Sequence, residues 1–169
     1  MADSPFIVRR ARTSDVPWIQ TLAAPLVAQR ILLGKENVSV YEAVQEFRIV
    51  EDAAGTPIGC GALHVMWQDL GEVRTLAVSD QWLGKGVGHA LMLRLEADAR
   101  ELGLTRLFCL TFEVDFFTRH GFTEVSDEII DPVVYAELAR SNDEGVAEFL
   151  DLARVKPNTL GNTRMLRLL

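Results

Sequence analysis

Three glycines at a spacing of two residues, Gly84, Gly86 and Gly88, separate a predicted strand from the longest predicted helix of this 169-residue chain. The strand is predicted over residues 72–78 and the helix over residues 86–102. A glycine-rich turn at the start of a helix presents converging N–H groups and a partial positive charge, which suit a phosphate or pyrophosphate. The glycine spacing matches neither the P-loop nor the dinucleotide-binding motif G-x-G-x-x-G. An ordinary strand-to-helix turn is the alternative interpretation.

The other predicted elements alternate between strands and helices in a mixed order, which is typical of the α/β (α+β) class with one central sheet. We expect a single domain over residues 1–169, because no repeat or linker divides the chain. Its sheet should have about six to seven strands with helices on its faces. The other strands are predicted over residues 6–10, 48–51, 58–67, 106–110, 122–125 and 163–168. The other helices are predicted after Thr13 or Ser14, after Ser39, and over residues 116–120, 132–140 and 143–154.

The acidic balance of the chain limits the classes of partner. The chain carries 24 Asp and Glu against 17 Lys and Arg, with a net charge of −7 and a pI near 5.0. Nucleic-acid and anionic-membrane binders need an excess of basic residues, so neither partner is expected. Cys60 and Cys109 lie in no disulfide or metal-binding pattern. We find neither a signal peptide nor an apolar run of ~18 residues, and we therefore expect a cytoplasmic location.

Two signatures along the chain resemble the GNAT superfamily of N-acetyltransferases. The first is the strand over residues 72–78 followed by Gly84-Lys85-Gly86-Val87-Gly88 and a long helix. The second follows the next strand and reads Phe116-Phe117-Thr118-Arg119-His120-Gly121-Phe122. The resemblance implies the GNAT fold and acetyl-CoA as co-substrate, with no metal.

A narrower resemblance is to the acetyltransferase domain of N-acetylglutamate synthases and to short stand-alone amino-acid acetyltransferases. It rests on segments such as residues 59–63, residues 71–78 and the closing Asn162-Thr163-Arg164-Met165-Leu166. It implies an amino-acid N-acetyltransferase of arginine biosynthesis that acts on the α-amine of glutamate or glutamine by direct attack in a ternary complex. A different amine, a protein N-terminus, or a non-catalytic sensing module for acyl-CoA or amino acids remains the alternative. A homodimer stays open.

The resemblance also implies which residues hold the co-substrate. The backbone of Leu76, Ala77 and Val78 should pair with the pantetheine arm, and the Leu76 amide is our candidate oxyanion donor. The pyrophosphate should lie on the amides of Gly84, Lys85, Gly86, Val87, Gly88 and His89, with the Lys85 side chain as a neutralising charge. Two positions depart from the family pattern. Leu83 stands where the family has Arg or Gln, and Phe117, which we also place at the co-substrate, stands where many relatives have a tyrosine acid.

Without that tyrosine, Thr111 and Cys109 are candidate proton donors to the CoA thiolate. Glu72 is the candidate catalytic base, since relatives often use a strand carboxylate acting through water. The alternative is that Glu72 pairs structurally with Arg74, two residues along the same strand face. Glu113 and His64 are weaker base candidates. The expected substrate-binding cations, suited to carboxylates, are Arg74, Arg164, Lys35 and Arg30.

Overall fold

A seven-stranded mixed sheet forms the centre of the protein, seen in a computed structural model that describes residues 4–125, 130–150 and 161–169. The strand order is β1-β2-β3-β4-β5-β7-β6. Only β4 and β5 pair in parallel; the other neighbours are antiparallel. The strands are β1 (Phe6–Arg10), β2 (Phe47–Asp52), β3 (Pro57–Val65), β4 (Leu70–Val78), β5 (Arg106–Thr111), β6 (Thr123–Glu124) and β7 (Thr163–Leu168). The predicted α/β class and number of strands are confirmed.

Six α-helices accompany the sheet in the described residues: α1 (Val16–Ala28), α2 (Asn37–Glu42), α3 (Val87–Glu101), α4 (Val114–Arg119), α5 (Pro132–Leu138) and α6 (Glu144–Phe149). The first two helices were predicted with Thr13 or Ser14 and with Ser39 as their N-caps, and both predictions were wrong. Thr13 and Ser14 lie in a 3-10 turn before α1, and Ser39 lies inside α2, whose cap position is Glu36. The predicted last helix extended to residue 154; its residues after 150 lie outside the described part.

The long helix α3 packs closely on the sheet because β3 carries glycine where the two elements meet. A Cβ on Gly59 would lie 2.8 Å from Val87 Cγ1, and one on Gly61 would lie 3.2 Å from Leu95 Cδ1. The apolar face of α3 is fully buried against this surface, with Leu91 and Leu95 at 0% exposure. The start of α3 is therefore held in a fixed position beside β4.

The parallel pair β4 and β5 separates soon after it forms. Pairing runs from Leu70↔Arg106 to Glu72↔Phe108 and then ends, although both strands continue. Among the described residues, no strand covers this edge of the second half of β4. Edge strands offer unpaired N–H and C=O groups to an incoming chain.

Candidate active site

A cavity of about 880 Å³ fills the space where β4 and β5 separate. Residues 73–78 of β4 form one wall, and residues 110–113 together with α4 form the opposite wall. Of the residues predicted for the co-substrate, nine line this cavity: Leu76, Ala77, Val78, Gly84, Gly86, Val87, Gly88, His89 and Phe117. Lys85 does not line it; its Nζ lies 5.3 Å from the ring centre of Trp82, which does.

The glycine turn at one end of the cavity requires left-handed backbone. Gly84 has φ +71° and Gly86 has φ +86°, values that residues other than glycine rarely adopt. Gly86 is also the N-cap of α3. The first amides of a helix have no acceptor within the helix, so the turn and α3 together direct N–H groups toward the cavity. The geometry suits an anion.

A β-bulge interrupts β4 beside the cavity. Cys60 pairs with Ala77 and Ala62 pairs with Arg74, so Gly61 stands opposite two residues, Thr75 and Leu76. Thr75 adopts φ +54°, which is strained for a β-branched residue. A bulge leaves its extra residue outside the regular ladder. The backbone around Leu76 is consequently available to a ligand at the uncovered edge of β4.

A second, smaller pocket of about 60 Å³ adjoins the large cavity, and the two share the wall formed by Val73, Arg74 and Thr75. We call it the acceptor pocket. Its polar lining comes from distant parts of the chain: Glu72 and Arg74 on β4, Lys35 before α2, Glu148 on α6 and Asn162 before β7. Its apolar lining includes residues 31–33 and Leu110.

Arg74 is held in this pocket by two carboxylates, an arrangement that we call the carboxylate clamp. Its Nε donates to Glu72 Oε2 at 3.0 Å, and Nη2 also donates to that oxygen. On the other side, Nη1 and Nη2 donate to the two oxygens of Asp143 at 2.9 and 3.0 Å. A guanidinium has five N–H donors, so one N–H of Nη1 has no acceptor among the described residues.

The clamp shifts the pKa values of Arg74 and Asp143 in opposite directions. Burial alone would lower the pKa of Arg74, but the charges of Glu72 and Asp143 outweigh it and raise that pKa. Burial would raise the pKa of Asp143, yet the hydrogen bonds and charge of Arg74 hold it well below its usual range. Arg74 is therefore a cation whose charge the protein already balances. The structural pairing that we gave as the alternative role of Glu72 is present, although no hydrogen bond reaches Glu72 Oε1 from the described residues.

The other predicted cations lie in different surroundings. Lys35 lines the acceptor pocket, and no ion pair involves its side chain within the described residues. Arg164 lies outside both cavities: its Nη2 donates to the carbonyl of Phe149 at the end of α6, and its guanidinium is 5.7 Å from the rings of Phe108 and Phe149. Arg30 is exposed in the turn after α1 and lines neither cavity.

The predicted acid and base candidates are also separated by the structure. Thr111 and Glu113 line the large cavity, and the Thr111 hydroxyl accepts a hydrogen bond from the Glu113 amide at 2.8 Å. Cys109 lines neither cavity. Its burial, and to a smaller extent the negative charge of Glu72, raise the pKa of its thiol well above the ordinary value. His64 is paired with Glu46 at 2.8 Å and also lies away from the cavities.

Sequence reasoning missed Asp143, Gly145 and Asn162. Asp143 caps α6 by accepting from the Val146 amide at 3.0 Å, a local signal that the sequence carries. Its contact with Arg74 spans 69 residues of chain, and no local pattern encodes it. A Cβ on Gly145 would lie 2.7 Å from Arg74 Nη2, so this glycine makes room for the clamp.

The described residues contain no helix that is both long and apolar enough to cross a membrane. In the same part of the chain, no group of three His, Cys, Asp or Glu side chains is placed to bind a metal ion.

Comparisons with known proteins agree with this geometry. The amino-acid acetyltransferase of Mycobacterium tuberculosis is 56% identical over 165 residues, or 96% of this chain and 94% of that protein. The crystal structure of Rv2747 from Mycobacterium tuberculosis in complex with CoA has a TM-score of 0.91 at 56% identity, covering 96% of this chain and 99% of that chain. The N-acetylglutamate synthase of Neisseria gonorrhoeae complexed with CoA and N-acetyl-glutamate has a TM-score of 0.77 at 28% identity, over 97% of this chain but 35% of that chain.

Residues 23–122 match the family described as Acetyltransferase (GNAT) family. This match covers more than half of the chain, and it includes the bulged strand, the glycine turn and α3. Together with the 56% identical relative, it shows that the chain belongs to the GNAT family of acetyltransferases.

Proposed function

We propose that this protein transfers the acetyl group of acetyl-CoA to the α-amine of an amino acid, glutamate or glutamine. The observation that carries the proposal is the junction of two cavities at the bulge of β4. The large cavity ends at a glycine turn suited to a pyrophosphate, and the acceptor pocket, with its charged lining, opens beside the same bulge. A thioester at the bulge would thus lie between a co-substrate site and an amino-acid site.

The residues of the large cavity fit CoA. The uncovered edge of β4 at Leu76, Ala77 and Val78 offers backbone partners to the amides of pantetheine, and the amides from Gly84 to His89 offer donors to its pyrophosphate. Leu83 is 60% exposed at the rim of the cavity, and its apolar side chain supplies no charge there. Because backbone amides provide most donors, Leu83 should weaken the affinity for CoA more than abolish it.

Chemistry at the junction requires the amine to lose a proton and then attack the carbonyl carbon of the thioester. The Glu72 carboxylate, through Oε1 and an intervening water, is the proposed acceptor of that proton. The Leu76 amide is the proposed donor to the oxyanion. When the C–S bond breaks, the attacking nitrogen releases its second proton, and the thiolate takes up a proton from solvent, either directly or relayed through the Thr111 hydroxyl, since Phe117 has no proton to give. An ordinary thiol has a pKa of about 8.5, so departure as a thiolate is feasible without a strong acid.

The acceptor pocket favours an amino acid over a cationic amine. Lys35 and the remaining N–H of Arg74 can both donate to a carboxylate. Arg164 and Arg30 line neither cavity, which leaves Lys35 as the pocket cation without an ion pair among the described residues. A carboxylate at Lys35 would place the amine toward Glu72.

A thiol-release assay with acetyl-CoA tests the proposal against a panel of glutamate, glutamine, other amino acids, a polyamine and a peptide with a free N-terminus. Turnover should be greatest with glutamate or glutamine. Intact CoA binding without turnover of any amine would instead support a sensing module, and a preference for the polyamine or peptide would contradict an amino-acid acceptor. Cytoplasmic location and a homodimer remain predictions, and gel filtration of the purified chain tests the dimer.

A further inference from the structure

Asn162 is a buried polar residue in the acceptor pocket. The residue is 7% exposed, and its Oδ1 accepts no hydrogen bond from the described residues. Leaving a buried acceptor without a donor costs free energy, and native proteins rarely keep one without a function for it. Asn162 lies directly before β7, so the sheet fixes its backbone.

The neighbours of Asn162 in this pocket define what could satisfy it. The carboxylates of Glu72 and Glu148 offer only oxygen acceptors, and four of the five N–H groups of Arg74 are committed to the carboxylate clamp. Lys35 also lines the pocket, but its ammonium makes no hydrogen bond to Asn162 Oδ1. Asn162 and Glu72 therefore both line a small pocket beside the bulge of β4, and the buried carboxylate of Glu148 lines it as well. A ligand that brings several N–H donors on one atom fits these acceptors, and an amine or ammonium group is the chemical class with that property.

We propose that Asn162 Oδ1 accepts a hydrogen bond from the α-amine of the acceptor amino acid and thereby positions that amine beside Glu72. This inference rests on the proposed acetyl transfer and names a specificity residue for it. No described residue donates to this oxygen, and the bound amino acid would supply a charge-assisted hydrogen bond, which is among the stronger hydrogen bonds in proteins. Discrimination follows, because a ligand of similar shape without the amine leaves the oxygen unsatisfied.

The test uses the full chain with Asn162→Leu, which keeps the side-chain size and removes the acceptor, and Asn162→Ala as the smaller second variant. The KM for the acceptor amino acid should rise about 10- to 100-fold in both variants. The dissociation constant of CoA should stay unchanged, since Asn162 does not line the large cavity. Glutarate, which is glutamate without its α-amine, serves as the competitive inhibitor, and its inhibition constant should change less than twofold.

Thermal unfolding without ligands separates this role from a structural one, because replacing a residue with a structural role would lower the Tm. Asn162→Leu should melt no lower than the wild type, because it removes an unsatisfied acceptor from a buried site. If Asn162→Leu does not fold, Asn162→Ala supplies the kinetic comparison. An unchanged acceptor KM, or equal losses for glutamate and glutarate, would overturn the inference while leaving the acetyl transfer intact. A wild type that turns over no amino acid would overturn both.

Discussion

Replacing Asp143 with asparagine tests whether the carboxylate clamp shapes the acceptor pocket. Removing one partner of a fully buried ion pair costs about 3–5 kcal/mol of stability. The side chain of Asp143 is 25% exposed and Arg74 retains Glu72, so we expect a smaller loss of about 1–2 kcal/mol. Asparagine also remains a good N-cap for α6. For a chain of this length that loss corresponds to a Tm lower by about 2–8 °C, measured by scanning calorimetry.

The same variant should raise the KM for the amino acid about 5- to 20-fold, because Arg74 loses the partner that fixes its orientation. The CoA dissociation constant should not change. Asp98→Asn is the matched control: Asp98 Oδ2 accepts from Arg48 Nε at 2.6 Å, both side chains are mostly buried, and neither residue lines the large cavity or the acceptor pocket. That control should lose stability and keep its KM. If Asp143→Asn lowers Tm and leaves the acceptor KM unchanged, the clamp is only structural and our reasoning fails.

The clamp also predicts a pH dependence with a definite sign. Arg74 holds the pKa of Asp143 well below its usual range, so the unfolded chain takes up that proton at a higher pH than the folded chain. The contribution of Asp143 is therefore complete above the unfolded pKa of about 3.9 and is lost as pH falls toward the folded pKa. The difference in unfolding free energy between wild type and Asp143→Asn should be constant above about pH 5 and shrink below about pH 4.

Substitutions at three further positions address the pocket and the cavity rim. Gly145→Ala should lower Tm and raise the acceptor KM, because its Cβ would lie 2.7 Å from Arg74 Nη2; calorimetry and initial rates check both effects. Lys35→Met should raise the acceptor KM about tenfold or more without changing CoA affinity, and Lys35→Arg should restore most of the loss. Burial and neighbouring His89 lower the pKa of His120. Wild-type stability should therefore fall as pH drops through about 6.5, and by less in His120→Gln; denaturant titrations at several pH values measure the difference.

The elements predicted well from the sequence are those that local patterns encode. The strands over Phe6–Arg10 and Thr163–Leu168 have the predicted bounds, and α3 begins and ends within one residue of its prediction. The glycine turn, which lines the cavity, could also be predicted, because its left-handed residues and the start of α3 are neighbours in the chain. Each of these features depends on contacts within about one turn of helix or one strand.

The parts of the site that sequence could not predict depend on contacts between distant segments. Asp143 reaches Arg74 only after β5, α4 and α5 have carried the chain back to β4, and this contact converts a supposed substrate cation into a neutralised one. Arg164 follows the same logic, because the docking of Phe149 beside Phe108 draws its guanidinium to the end of α6. From their positive charge, Arg74 and Arg164 were both predicted to bind a substrate carboxylate. Packing between distant segments determines what each of them contacts.

The strained bulge and the early separation of β4 from β5 act together to leave backbone groups of β4 available to a ligand. If β4 continued to pair with β5 beyond Glu72, the backbone groups on that edge of β4 would be hydrogen-bonded to β5. They could not then form hydrogen bonds with a ligand. Without the extra residue at Thr75, the Leu76 amide would remain in the regular ladder with β3. Holding Thr75 at φ +54° costs on the order of 1–3 kcal/mol, which the buried packing of neighbouring Ala77 and Val73 must outweigh. The strain therefore lies where, on the proposed function, one strand presents an edge to the co-substrate and a face to the amino acid. A chain with a net charge of −7 can thus receive anionic ligands through backbone donors rather than through an excess of basic side chains.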